Sequence, residues 1–101
     1  MRFQECTEAC QKCLEACQAC ADACRQMEGM ERCVQACEDC IVRLQRCLEA
    51  MAEGSSDKCA SCAQYCDGCA SECEKHDHDH CQRCAEACRA CADACRRAQI
   101  G

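Results

Sequence analysis

Cysteine occupies the positions that larger apolar residues usually hold in the repeating pattern of this chain. Cysteines recur at alternating steps of three and four, as in EACQACADAC at residues 15–24 and EACRACADAC at residues 86–95. This spacing is typical of one helix face that packs along a single seam, whereas a strand needs a step of two. The residues in between are mostly good helix formers, and the chain has no proline. The pattern therefore predicts an all-α protein.

The cysteines fall into four groups, each of which predicts one helix. The expected helices span roughly residues 3–27, 30–52, 57–75 and 79–98. Short connections between helices make consecutive helices antiparallel neighbours. We therefore expect an up-down-up-down four-helix bundle with a Cys-lined core, formed as a single domain by residues 1–101.

The breaks between the helices carry turn and capping residues. Gly29 can end the first helix as a left-handed residue. Gly54 supplies a second stop, and the Ser55-Ser56-Asp57 segment after it offers N-cap candidates for the third helix. For the last helix the candidate caps are Asp77 and Asp79.

The bundle topology predicts which residues meet at each end. One end should gather Met27, Met30, His76, His78 and His80. The opposite end should collect an apolar plug of Phe3, Met51 and Ile100. Leu44 occupies a position where the three-and-four spacing predicts a cysteine. The heptad-spaced residues Val34, Ile41 and Leu48 are expected to serve helix or subunit packing.

Composition and charge narrow the possible partners. The formal net charge is −6 with both signs interleaved, which argues against nucleic acid or an anionic membrane as a partner. No apolar run approaches the roughly 20 residues that span a bilayer. The N-terminal MRFQECTEAC has neither a secretory signal nor a twin-arginine motif, so we expect a cytosolic protein. Dense cysteine in that compartment points to metal before disulfides.

A core lined by thiolates needs cations, because isolated buried charges are very costly. A soft monovalent ion such as Cu(I) cancels about one thiolate each, and it accepts two or three ligands. Pairs at i,i+3 or i,i+4 lie on one helix face and can converge on one ion. The expected Cu(I) ligands are Cys6, Cys10, Cys13, Cys17, Cys20, Cys24, Cys33, Cys37, Cys40, Cys47, Cys59, Cys62, Cys66, Cys69, Cys73, Cys81, Cys84, Cys88, Cys91 and Cys95.

The histidines and methionines at one end leave two interpretations open. His76, His78 and His80 are either a solvated acidic loop or ligands that receive copper and pass it inward. Met27 and Met30 are either thioether ligands there or apolar closure of the core.

Other functions remain as alternatives. A zinc or cadmium buffer of metallothionein type would use tetrahedral sites, which keep negative charge when four thiolates share one divalent ion. A disulfide-stapled interaction module is permitted by the even number of cysteines, although close pairs on one helix close only small loops. The ferredoxin signature is absent. No carboxylate pair or nucleophile set of an enzyme is evident, so an enzyme is not expected.

The repeated steps in all four groups, such as Cys13-Leu-Glu-Ala-Cys17-Gln-Ala-Cys20, resemble those of the four-helix-bundle copper storage proteins of bacteria. The resemblance covers nearly the whole chain. It implies storage of many Cu(I) ions inside the bundle, a homotetramer, and the cytosolic type of the family, since no twin-arginine signal is present. It also implies Met or His residues at an open end, which match Met27, Met30 and the 76–80 segment loosely. Leu44 and the long step from Cys40 to Cys47 depart from an uninterrupted lining.

Overall fold

Four α-helices follow one another along the chain in the computed structural model, which describes residues 3–100 without the side chain of Ile100. They are α1 Gln4–Arg25, α2 Glu31–Ala52, α3 Cys59–Cys73 and α4 Asp79–Ile100. Each helix packs against two neighbours, in the circular order α1, α2, α3, α4, and lies diagonally across from the remaining one. The predicted all-α, up-down-up-down bundle is confirmed.

The bundle is long and narrow, with extents of 41 × 18 × 17 Å. The α1–α2 and α3–α4 connections lie at the same end, which we call the mouth and define by residues 26–30 and 74–80. Residues 53–58 connect α2 to α3 at the other end, which we call the closed end. Among the described helices, none combines the length and apolarity needed to cross a bilayer.

A glycine in each of the turns after the first two helices adopts a left-handed backbone, and Gly54 directly follows the C-cap of α2, Glu53. Gly29 has φ 79° and Gly54 has φ 86°, a conformation that costs glycine little. The left-handed conformation predicted for Gly29 is confirmed, but its predicted role as the cap of α1 is wrong, because α1 ends at Arg25 with Gln26 as its C-cap. The predicted cap of α3 at Ser55, Ser56 or Asp57 is wrong, because Lys58 holds the N-cap position without a side-chain hydrogen bond. The Ser55 Oγ instead accepts a hydrogen bond from the backbone N–H of Asp57 (3.1 Å), so it stabilises the turn before the helix.

Small side chains fill the core. All twenty cysteines are buried, together with alanines beside them such as Ala70 and Ala92. Leu44 is the largest fully buried side chain among the described residues. The half-buried residues Val34, Ile41 and Leu48 pack against the outside of this core.

The closed end has an apolar cover. Met51 is buried and Phe3 is half-buried against the core. Both were predicted to lie in an apolar plug, and the third predicted member, the side chain of Ile100, lies outside the described residues. At this end the thiol core therefore meets hydrocarbon and aromatic carbon before it meets water.

Gly68 is exposed in the middle of α3, and a Cβ built there would meet nothing within 4 Å. No neighbouring helix therefore requires a glycine at this position. Because glycine costs roughly 0.5–1 kcal/mol relative to alanine inside a helix, we expect Gly68→Ala to stabilise the metal-free protein by about that amount. Urea unfolding followed by circular dichroism measures the change. A destabilised Gly68→Ala variant would mean that another contact needs the glycine.

Candidate metal centre

The cysteines of the four helices form a continuous column of thiols along the bundle axis. The alternating steps place each Cys on the inner face, and all twenty side chains are free thiols. Short contacts between α1 and α4 join Cys6 to Cys95 and Cys13 to Cys88, with Sγ–Sγ distances of 3.5 Å. On the other side of the bundle the Sγ atoms of Cys40 and Cys66 are 3.6 Å apart. The sulfur atoms thus contact one another both along and across the helices.

Groups of four thiols converge at several heights of this column. In each group all Sγ atoms lie within 4.8 Å of one another. Two of the groups take one cysteine from every helix. Near the closed end this group is Cys6, Cys47, Cys59 and Cys95, and nearer the mouth it is Cys20, Cys37, Cys73 and Cys84.

The spacing within the column suits shared metal ions. Four sulfurs at metal–sulfur distances of about 2.3 Å around a tetrahedral ion lie about 3.8 Å apart. In the column the Sγ atoms of Cys10 and Cys91 lie 3.5 Å apart and those of Cys84 and Cys88 lie 4.0 Å apart. Ion binding therefore requires little movement of the helices, and sulfur ligands favour soft ions such as Cu(I).

Leu44 interrupts the column on α2. The thiol group at its height, Cys10, Cys62, Cys91 and Cys95, takes no ligand from α2. Leu44 is fully buried, as predicted from its position in the three-and-four spacing of α2. One isobutyl group therefore replaces one ligand, while the thiols of the other three helices continue past it.

Burial favours the protonated form of three thiols toward the two ends of the column. It raises the pKa of Cys33 and of Cys59 above the ordinary 9.0, and it raises the pKa of Cys81 to about 12. In each case loss of hydration is the main cause, and the charge of neighbouring thiolates adds to it. Copper binding at these positions must therefore displace protons.

These raised pKa values predict a loss of stability in alkali. Above pH 9 an unfolded chain releases thiol protons that the folded core still holds, so stability falls as the pH rises. We expect the metal-free protein to keep full stability below pH 9 and to lose helical circular dichroism between pH 9 and about 12. The copper-loaded protein is the control, because its thiols are already deprotonated. Equal alkaline stability of the two forms would contradict this account.

The two methionines predicted at the mouth lie next to a thiol. Met30 is buried and Met27 is half-buried. Together with Cys24 they line a groove of about 270 Å³ between α1 and α2. Their thioethers therefore stand where an ion can pass to the first cysteines of the column.

The three histidines are placed less uniformly. His76 is half-buried and hydrogen-bonded to Glu72 (3.3 Å), and His78 is exposed with its ring stacked on that of His80 at 5.4 Å. The His80 Nε2 is buried without a hydrogen-bond partner among the described residues. His80 lines a groove between α1 and α4 that contains no cysteine.

Sequence reasoning missed Glu72, which lies in the last turn of α3 beside the mouth. Burial opposes ionisation of its carboxyl group, yet the hydrogen bonds with His76 and Lys75 hold its pKa below the ordinary value. Its position four residues before His76, at the end of α3, is the signal that indicates the pair. The mouth thus carries a carboxylate beside its histidine.

The comparisons with known proteins agree with this geometry. The family model described as copper storage protein matches residues 1–100. The chain belongs to the copper storage protein family. A comparison with curated protein sequences found no match.

Solved structures of copper storage proteins resemble the chain along its whole length. Copper storage protein 3 from Bacillus subtilis in the apo form is 40% identical, with a TM-score of 0.88 over 94% of this chain and 96% of that chain. A Cu(I)-bound copper storage protein, BsCsp3, is 37% identical, with a TM-score of 0.91 over 96% and 97%. A cytosolic copper storage protein from Streptomyces lividans with five coppers is 32% identical, with a TM-score of 0.91 over 99% and 93%. The copper storage fold is therefore shared from end to end.

Proposed function

We propose that this chain stores Cu(I) ions in the thiol column of its bundle and thereby buffers copper. The observation that carries the proposal is the convergence of buried thiols into overlapping groups of four along the axis. The Cu(I)-bound relative BsCsp3 and the five-copper relative from Streptomyces lividans support it. The ion is the cargo of the protein, and no chemical reaction is assigned to it.

All twenty cysteines are proposed as ligands, with about one Cu(I) per thiol. Each Cu(I) cancels one thiolate, so a filled column is nearly neutral. A divalent ion held by four thiolates leaves about two negative charges per site, which burial makes costly. Charge balance therefore favours copper over zinc or cadmium in this core.

The mouth is proposed as the place where copper is received. Met27 and Met30 supply thioethers beside Cys24, and His80 supplies an unpartnered ring nitrogen. His76 and His78 complete the proposed set of ligands at this end. We further propose that residues 1–101 form one domain, that the protein is a cytosolic homo-oligomer, and that it is not an enzyme. The tetramer is the state expected from the family, and light scattering after size exclusion tests it.

The storage proposal is tested by anaerobic titration of the metal-free protein with Cu(I) in the presence of a chromophoric chelator. We expect the protein to withhold copper from the chelator until about one ion per thiol, close to twenty ions, has been added. Saturation near five ions, the number held by twenty thiols in isolated four-thiol sites, would reject the filled column. Elemental analysis of the protein after exposure to equal concentrations of zinc and copper distinguishes copper storage from the metallothionein-like alternative.

A further inference from the structure

A groove on the wall between α2 and α3 reaches the thiol column from the side. Its volume is about 360 Å³, and it is lined by Ala36 and Asp39 of α2 and by residues of α3 that include Gly68, Cys69 and Glu72. The mouth lies beyond the end of α3, whereas Cys69 belongs to a thiol group inside the column together with Cys17, Cys84 and Cys88. The groove therefore approaches the store through its wall.

Between the two ends of the column, Cys69 is the cysteine with a fraction of its surface exposed to solvent. Its exposed fraction is 1%, and the other cysteines with any exposure are Cys6 (2%) and Cys24 (1%), which lie at the two ends of the column. The remaining cysteines of the described chain are all at 0%. Small as it is, the exposure of Cys69 coincides with the groove.

Gly68 keeps this groove open. A Cβ at this position would meet no atom within 4 Å, so the glycine does not serve the approach of another helix. Its lack of a side chain instead leaves free space directly beside Cys69. The corresponding residue before the last cysteine of the CQAC segment in α1 is Ala19.

The seam between α2 and α3 also lacks, within residues 3–99, the ion pairs that bridge the other three seams. Each of the other three seams is bridged by at least one arginine–carboxylate pair: Arg25 with Glu38 (2.7 Å), Arg89 with Glu74 (2.9 Å) and Arg97 with Glu5 (2.7 Å). Within residues 3–99, no ion pair joins α2 to α3. The two helices are linked there by Arg43, which lies 4.5 Å from the ring centroid of Tyr65 and donates a hydrogen bond to its hydroxyl (3.4 Å). The described part of this seam is therefore bridged by a cation–π contact in place of an ion pair.

The charge of the groove determines which ions it attracts. Asp39 and Glu72 contribute two carboxylates, of which that of Glu72 pairs with Lys75 (3.3 Å), so the remaining charge of the lining is negative. Such a site attracts cations and repels anionic chelators.

We propose that this groove is a lateral route for Cu(I) between solvent and Cys69. The inference rests on the proposed storage function. When an ion arrives, a Cu–Sγ bond forms at Cys69 as a weakly held ligand leaves the copper, and the thiol proton passes to water. The copper stays in the Cu(I) state throughout.

Stopped-flow loading tests the route. Metal-free protein is mixed anaerobically with acetonitrile-solvated Cu(I), a cation, and the thiolate–copper absorbance is followed. Filling the groove with Gly68→Leu is expected to slow loading by a factor of about three to ten, and Gly68→Ala by less, with final copper capacity unchanged. Ala90→Leu is the matched control, since Ala90 is the equivalent exposed residue before Cys91 in α4 and lines none of the grooves described above. A Gly68→Leu variant that loads as fast as the Ala90→Leu control would overturn the proposal.

Thiol labelling gives a second, copper-free readout. In a brief pulse of N-ethylmaleimide on the native metal-free protein, Cys69 is expected to react before Cys66 and Cys73, its neighbours on α3 with no exposure. Gly68→Leu should remove this preference. Equal labelling of the three thiols contradicts the route, and so does protection of Cys69 by a second copy of the chain in the oligomer.

The two proposals fail in distinguishable ways. Full copper capacity with unchanged loading rates in Gly68→Leu rejects the lateral route and leaves the store intact. A protein that takes up no copper rejects the store, and with it the route.

Discussion

Replacing Leu44 with alanine is expected to lower the free energy of unfolding of the metal-free protein by about 3 kcal/mol, within the range of 2–5 measured for buried Leu→Ala changes. Leu44 is fully buried, and the neighbouring core residues are cysteines and alanines too small to fill the space it leaves. Whole proteins are stable by only about 5–15 kcal/mol, so the loss is severe. Urea unfolding of the reduced, metal-free protein, followed by circular dichroism, measures it.

Val42→Ala is the matched control, because Val42 lies on the same helix with 43% of its surface exposed. Its effect should stay within about 0.5 kcal/mol. The companion variant Leu44→Cys completes the seam of α2, and it should lose less stability than Leu44→Ala and bind one more Cu(I). Equal stability of the Leu44→Ala variant and the parent would show that the thiol column stabilises the bundle without this side chain.

Copper loading is expected to raise the melting temperature by at least about 20 °C. Ligands that bind the folded state more tightly stabilise it, and only the difference counts, since an unfolded cysteine-rich chain binds copper as well. For a chain of this size each kcal/mol corresponds to about 4–8 °C, so a net preference of about 5 kcal/mol spread over many ions is enough. The preorganised sulfur spacing makes such a preference available to the folded state. Anaerobic calorimetry of loaded and metal-free protein measures the shift.

Removal of the metal supplies the control for this experiment. Stripping the copper with an excess of a strong Cu(I) chelator should return the melting temperature to that of the metal-free protein. The stripped protein should also remain helical, because its helices pack through alanine and cysteine without metal. Loaded and metal-free forms that melt together would mean that the unfolded chain holds copper as well as the bundle does.

The fold could be predicted from the sequence because one residue type marks the inner face of every helix. The three-and-four step of cysteine defines the seams, and Gly54 marks the end of α2. The start of α3 could not be predicted as well, since it depends on a turn in which Ser55 bonds to the backbone of Asp57 instead of capping the helix.

The candidate site could be predicted as a set of residues but not as a set of contacts. A seam shows which cysteines point inward, but the vertical offset between helices depends on loop conformation. The pairing of Cys6 with Cys95 and of Cys13 with Cys88 therefore appears only in the structure. The groove beside Cys69 was also invisible, because it depends on how α2 and α3 separate on their outer sides.

The narrow cross-section of the bundle, 18 × 17 Å, has a consequence for how long cargo is kept. An ion on the axis is nowhere farther from water than about one helix diameter, roughly 10 Å. Distance alone therefore gives little protection, and the retention time depends on how rarely adjacent helices part. A bundle this narrow can exchange its ions through small local movements of adjacent helices, without unfolding.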